Sequence, residues 1–296
     1  MNRALFSLSL VIGSCWGLIQ EGWAQESIED VNADIDLSAT MDPVILPHPL
    51  VAIDDETFLA FGGITGWGIV HWGWFTEPQH IVDEGGFSAD SSTGGADKTG
   101  HFYMSYLLAE LMTARLERQG YTSAQSALWG ATSAMALMTW LEVGDGTGPY
   151  GFSVEDLVAD FLGVTMSWVK TRSPAIGRVI DFRTEYWPTP GALEGNDIAA
   201  DYTGMRHLMA IQLAGVPYVS QTPLHLIDLQ VGYYSRGFRT FDEPELQAAP
   251  VRSLYMGVGL NVAEFLRGEF PERDWMAFHY YQTPLVSFEV ASRRWE

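Results

Sequence analysis

Three short stretches between positions 97 and 156 bring together residue types that can hold protons, metals or opposite charges. The first is Asp97-Lys98-Thr99-Gly100-His101. Asp97 and His101 are four apart, so on a helix they share a face. The second, Glu142-Val143-Gly144-Asp145-Gly146, sets two carboxylates beside a turn. The third, Ser153-Val154-Glu155-Asp156, has the form of a helix start, with Ser153 as cap and Asp156 as a first-turn carboxylate. Three chemistries suit such a set. As a structural cluster, Asp97, Ser153 and Asp156 cap helices, Lys98 pairs with an acid, and His101 is a satisfied polar residue beneath them. As a metal site, His101 and Glu142 join Asp145 or Asp156, and one imidazole among oxygens favours calcium or magnesium over zinc. As an acid–base site, catalytic His101 shuttles a proton while Glu142 and Asp156 orient or assist it. The residues select no particular metal or cofactor.

For these residues to meet, helices must carry them to one end of a bundle. The spacing predicts an uncharged helix over 57–75, whose glycines allow close neighbours or membrane contact. A Gly-rich loop over 76–96 precedes an amphipathic helix over 97–118, stopped by Gly120. A second uncharged helix over 122–143 follows, then a turn at 144–151, then a helix from Ser153 to about Lys170. Short connections make neighbouring helices antiparallel, so His101, Glu142 and Asp156 fall at a common level. After Pro174 the pattern changes. Strands are expected over 177–187, 224–236, 251–260 and 285–292, with a short helix over 201–213. The expected fold is mainly α: a partly membrane-like four-helix unit, then a small C-terminal α+β region with antiparallel strands. The divisions are a leader over 1–24, an acidic extended tether over 25–56, the helical unit over 57–172 and the extension over 173–296.

The order Asp-Lys-x-Gly-His, then Glu-x-x-Asp-Gly, then Ser-x-x-Asp running on through Asp160 to Gly163 resembles the YfiM-like family of predicted periplasmic lipoproteins, a family of unknown function. The family has Asn where this chain has Asp160. Asp201-Tyr202-Thr203-Gly204 is similar to a later Asp-Tyr-Asn-Gly stretch of longer members. Asp-Lys-x-x-His with a helix-ending Glu also resembles, more remotely, the VanZ-like membrane proteins. The resemblance implies an envelope location and assigns no catalysis.

The amino terminus agrees with that location. Arg3 is followed by an apolar run from Ala4 to Ile19, and Gly22-Trp23-Ala24 offers small residues for cleavage before Gln25. Ile12-Gly13-Ser14-Cys15 is an alternative, a lipobox in which Cys15 is acylated. Cys15 is the one cysteine, so the mature chain has no disulfide or thiolate chemistry. Net charge is −21, which repels phosphate backbones and argues against nucleic-acid partners. With 47% hydrophobic and 18% charged residues, the chain suits a large core or a surface facing lipid. The expected protein is therefore an exported periplasmic or outer-membrane protein, non-catalytic and in contact with membrane lipid. The alternative is a hydrolase or transferase acting on a lipid-linked or glycan substrate. Intact-mass measurement of envelope-derived protein should give a chain beginning at Gln25 or an acylated Cys15. A chain retaining Met1 would exclude both.

Overall fold

Two glycines decide where the most heavily packed helix begins. Gly94 and Gly95 both have positive φ, a conformation that side-chain-bearing residues rarely adopt. They release the chain into a helix at Ala96. In the computed structural model, which describes residues 55–195, 198–238, 249–271 and 275–295, four long helices precede a sheet. They are α1 (Asp55–His71), α2 (Ala96–Arg118), α3 (Ser123–Asp145) and α4 (Val154–Arg172). The leader over 1–24, Cys15 and nearly all of the tether over 25–56 lie outside the described residues.

Local chemistry sets the boundaries. Thr122 and Gln125 form a reciprocal capping box at the start of α3, and Ser153 accepts the Asp156 amide at the start of α4. Strand β1 (Ile81–Val82) pairs in parallel with β2 (Phe152–Ser153). This pairing pins the 76–95 loop beside the start of α4. Helix α2 is central. A Cβ on Gly163 of α4 would meet Ser105 Oγ and the Phe102 carbonyl, and one on Gly130 of α3 would meet Thr113 and the Ala109 carbonyl. Both neighbours therefore approach α2 at backbone distance.

The expected four-helix unit is corrected here. Helices α2, α3 and α4 pack on one another, whereas α1 rests mainly on α3. The α1 glycines explain little of its packing, because Gly62, Gly63 and Gly66 face open space. Gly68 is different: with Gly144 it seats the buried ring of Trp74. The membrane-like character is also corrected. The apolar run 57–75 breaks at His71, and no helix among the described residues is long and apolar enough to cross a membrane.

The C-terminal region is more than a small addition. Strands β3 (Ile180–Tyr186), β4 (Met205–Gln212), β5 (Ile227–Arg236), β6 (Val251–Leu260) and β7 (Ser287–Trp295) form an antiparallel meander in chain order. The helix expected over 201–213 is instead a short 3-10 turn, Tyr202–Gly204, followed by strand β4. Its sequence misleads because buried residues occupy both faces: Leu208, Ala210 and Gln212 on one, His207 on the other. Strict alternation is thereby lost. Phe102 and Tyr106 of α2 meet the Phe182 ring edge-on, and Tyr103 lies against His207. Short helices α5 (Pro174–Gly177), α6 (Pro190–Gly195), α7 (Val262–Glu269) and α8 (Ala277–Tyr280) complete the chain.

The glycine contacts yield a paired stability test. Gly163→Ala forces a methyl into helix backbone and should cost about 1–3 kcal/mol in urea unfolding. Gly62→Ala meets no atom within 4 Å and should be neutral or stabilising by up to about 1 kcal/mol. Equal effects would contradict the close α2–α4 approach.

Candidate functional site

The first two turns of α2 carry the two cations of the site. Asp97, Lys98 and His101 sit within them, and the end of α3 and the start of α4 bring acids to meet them. Lys98 Nζ lies 2.7 Å from Asp156 Oδ1 and 2.9 Å from Asp97 Oδ2, in contact with Glu84 and 3.9 Å from Glu155. His101 lies between two pairs of acids. Its Nδ1 is 3.3 Å from Asp160 Oδ1 and 3.7 Å from Glu142 Oε1. Its Nε2 is 3.7 Å from Asp97 Oδ1 and 4.0 Å from Asp156 Oδ1. Tyr202 donates to Asp97, and the Ser153 amide donates to Glu142 Oε2 at 3.0 Å. The His101 side chain is 12% exposed and that of Glu142 2%. This is a nearly sealed polar core.

The structure thus brings together His101, Glu142, Asp156, Asp97 and Lys98. Ser153 joins through its cap and its amide. Asp145 turns elsewhere and accepts the Trp74 indole N–H at 2.6 Å. Three further residues take part. Asp160, the acid where the resembled family has Asn, makes the shortest His101 contact. It lies one turn beyond Asp156, so helical periodicity could have found it. Glu84 comes from the Gly-rich loop, where nothing in the sequence marks it. Tyr202 lies in the Asp-Tyr-Thr-Gly stretch, whose Asp201 instead holds local structure by accepting from Thr189, Tyr186 and the Gly204 amide.

Burial dominates the electrostatics. It pushes Glu142 up to about 8, with His101 offsetting only part of the rise. It takes Glu84 up to about 7, and Asp97 and Asp156 add to that. Asp145 rises to about 6, and Asp156 and Asp160 are raised as well, all chiefly by burial. For Asp97, burial is overcome by His101 and Lys98, which bring it down to about 2. Burial alone would neutralise His101, but Asp97, Asp160 and Asp156 reverse this and raise it well above its usual range. The favoured state is an imidazolium and an ammonium among acids, some of which retain protons.

Among the described residues two sets of ligand atoms could hold a metal: Asp97, His101 and Asp156, or His101, Glu142 and Asp160, with the atoms of each set within 4.8 Å of one another. Both are oxygen-rich and suit a hard cation. In the first set Lys98 already contacts two of the acids. The second has no lysine on its acids and is the better fit, with His101 as the neutral imidazole whenever an ion is bound.

The other histidines separate clearly. His71 stacks on Trp67 at 4.1 Å. His225 contacts the Thr222 carbonyl. His207 is buried, and burial lowers it to about 4. His279, which has no partner at ligand spacing in sequence, lies 2.9 Å from Asp181. That contact is tertiary and invisible to spacing.

Residues 83–172 match a family described as predicted periplasmic lipoprotein (DUF2279). The matched segment contains Asp97, Lys98, His101, Glu142, Asp156 and Asp160. It supports a periplasmic or envelope location and assigns no activity. No curated protein and no solved structure matches the chain.

The raised groups fix a pH dependence. A carboxyl group raised in the folded state keeps its proton while the unfolded chain has lost it. Stability then falls as pH rises from the unfolded value through the folded one. A raised His101 acts in the same direction, full below its unfolded value and lost as pH passes its folded one. The melting temperature should therefore be higher near about pH 5 than near about pH 8. Glu142→Gln, which keeps an acceptor for the Ser153 amide, should flatten the slope. An unchanged slope in that variant would remove Glu142 from this account.

Proposed function

We propose that this chain is a non-catalytic envelope protein that rests on a lipid surface, with the His101 cluster as a structural clasp. Its leader over 1–24 directs export, its 25–56 segment tethers the helical unit, and the YfiM-like likeness rests on the motif order at positions 97–163. The observation that carries the lipid reading is the polarity of α4. This helix turns Asp156, Asp160, Ser167 and Lys170 inward and buries them. Outward it presents Val154, Val158, Phe161 and Leu162, each more than half exposed. In water the polar side of a surface helix faces out. The reverse arrangement suits a helix whose outer side meets a nonpolar medium, where ionisable groups turn to the protein interior. Phe58, Leu59, Ile69 and Val70 of α1 add further exposed apolar surface. Because no described helix is a candidate span, the contact proposed is peripheral.

A second reading, a hydrolase or transferase using His101, Glu142 and Asp156 on a lipid-linked or glycan substrate, draws on the imidazole lying between two acid pairs. The deep burial of all three side chains favours the clasp.

Vesicle flotation tests the lipid reading with the Cys15→Ser chain, so that acylation plays no part. The parent should float with vesicles of phosphatidylethanolamine and phosphatidylglycerol. Val158→Asp combined with Phe161→Asp should release it into the soluble fraction while leaving the melting temperature nearly unchanged, since both sites are exposed. A folded double variant that floats as well as the parent would sink the proposal.

A further inference from the structure

Over β5–β7 the sheet turns its apolar side outward. Residues opposite one another in the ladder share a side. On the side toward α2, one row runs Ile180, Ile211, Leu229, Val258 and Phe288, and the next runs Phe182, Met209, Val231, Met256 and Ala291. Over β3 and β4 these rows are covered, since Phe102 and Tyr106 of α2 pack on Phe182 and Tyr103 lies against His207. Beyond α2 they are open. Leu229 and Leu254 are nearly half exposed, and Met256 and Phe288 more than half.

The other side of the sheet is polar and buried, with Asp181, Arg183, Gln212, Asp228 and Gln230 all inaccessible. Its charges are paired inside the protein. Arg183 Nη1 lies 2.7 Å from Asp228 Oδ2, and His279 Nδ1 lies 2.9 Å from Asp181 Oδ2. Lys170 Nζ lies 3.0 Å from Asp181 Oδ1 and 3.7 Å from Glu110 Oε2. A half-solvated antiparallel sheet alternates the other way, with its apolar side packed and its polar side in water. Strands that face lipid alternate as these do, apolar side out and polar side in.

Charge divides the two sides as well. The chain carries 37 acidic and 16 basic residues. Every acid of β3–β7, namely Asp181, Glu185, Asp228 and Glu289, falls on the polar side of the ladder. The open side carries Arg293, opposite Leu254, and Arg252, opposite Trp295. Among the described residues Arg293 pairs with no carboxylate. Arginine and tryptophan at the margin of an apolar patch are the residues that anchor a protein at the membrane–water interface.

The patch is continuous with the apolar side of α4. Glu155, next to the exposed Val154, accepts the Gly86 amide at 3.0 Å. Phe87 follows, half exposed, with its ring 5.2 Å from that of Tyr233, which stands opposite Leu254.

We propose that the open side of β5–β7 docks on anionic lipid, with Leu229, Leu254, Met256 and Phe288 toward the acyl chains and Arg293 on the phosphates. The inference rests on the lipid reading of α4 and adds to it a second contact surface and a headgroup charge. β7 is an edge strand, whose outer backbone groups would find no partner in hydrocarbon, so the patch rests at headgroup depth. At about 0.15 M salt, charges beyond roughly 8 Å are screened, so the lipid meets Arg293 rather than the net charge of the chain.

Flotation of the Cys15→Ser chain tests this on two kinds of vesicle. One holds phosphatidylethanolamine and phosphatidylglycerol in equal parts; in the other, phosphatidylcholine replaces the phosphatidylglycerol. The parent should bind the anionic vesicles more tightly. Arg293→Gln should weaken that binding by about fivefold, the worth of one arginine near an anionic surface, and leave binding to the zwitterionic vesicles unchanged. Met256→Asp combined with Phe288→Asp should weaken both by about tenfold or more. Melting temperatures equal to the parent's would show that the variants remain folded, and Phe288→Asp alone, on the edge strand, stays informative if the pair unfolds. A parent indifferent to headgroup charge would overturn the role of Arg293. If the α4 double variant is released while the sheet variants float like the parent, this inference falls and the α4 reading stands. If the parent does not float at all, both fall. Sheet variants that float like the parent but convert a dimeric parent to monomers in light scattering would make the patch a contact between copies of the chain and overturn the lipid assignment.

Discussion

Buried negative charge is the constraint around which the helical layer is arranged. Asp97, Glu142, Asp156 and Asp160 are all nearly inaccessible, and Glu84 joins them from the 76–95 loop. Carboxylates in low dielectric repel one another and lose hydration. They coexist here because Lys98 and His101, one turn apart on α2, are each shared among several of them, and because burial keeps some of them protonated. The consequence is mechanical. The start of α2, the end of α3, the start of α4 and the preceding loop must all reach the same two cations. Tyr202, hydrogen-bonded to Asp97, ties in the turn that leads into β4.

Helix α2 is also the link to the rest of the molecule. Its first two turns hold Lys98 and His101. Two turns later Tyr106 and Glu110 face the Lys170–Asp181 pair, which fastens α4 to β3. Buried ion pairs are weak evidence for stability but expensive to break one partner at a time. Two such centres along one helix hold the helices and the sheet in a single arrangement. They differ in access. The His101 centre is closed and has its counter-charges in place, whereas the Lys170 centre borders a cavity.

The same burial of polar groups accounts for the surface. Because α4 spends its inward face on Asp156, Asp160, Ser167 and Lys170, its apolar residues have only the outside to occupy. These exposed residues are the surface that the proposed lipid contact would cover. A nonpolar neighbour would offset their exposure and strengthen the electrostatics beneath them by excluding water.

Local chemistry, set by residue type at short range, was legible without any coordinates. The starts of α2 and α4, the Gly120 stop, the Ser153 cap and four of the five sheet strands follow from spacing and turn residues. So does the convergence of His101, Glu142 and Asp156, because antiparallel helices with short connections leave little choice of level. Three matters were left to tertiary structure. Apolar runs do not reveal which side they bury, so 57–75 could be read as a membrane-like helix, although it breaks at His71 and packs chiefly on α3. Strand β4 has buried residues on both faces and loses the alternation that would mark it. Partners far apart in the chain carry no spacing signal, and so Glu84 with Lys98, Tyr202 with Asp97, and the whole array from Glu110 to His279 emerge only when the sheet is laid against α2.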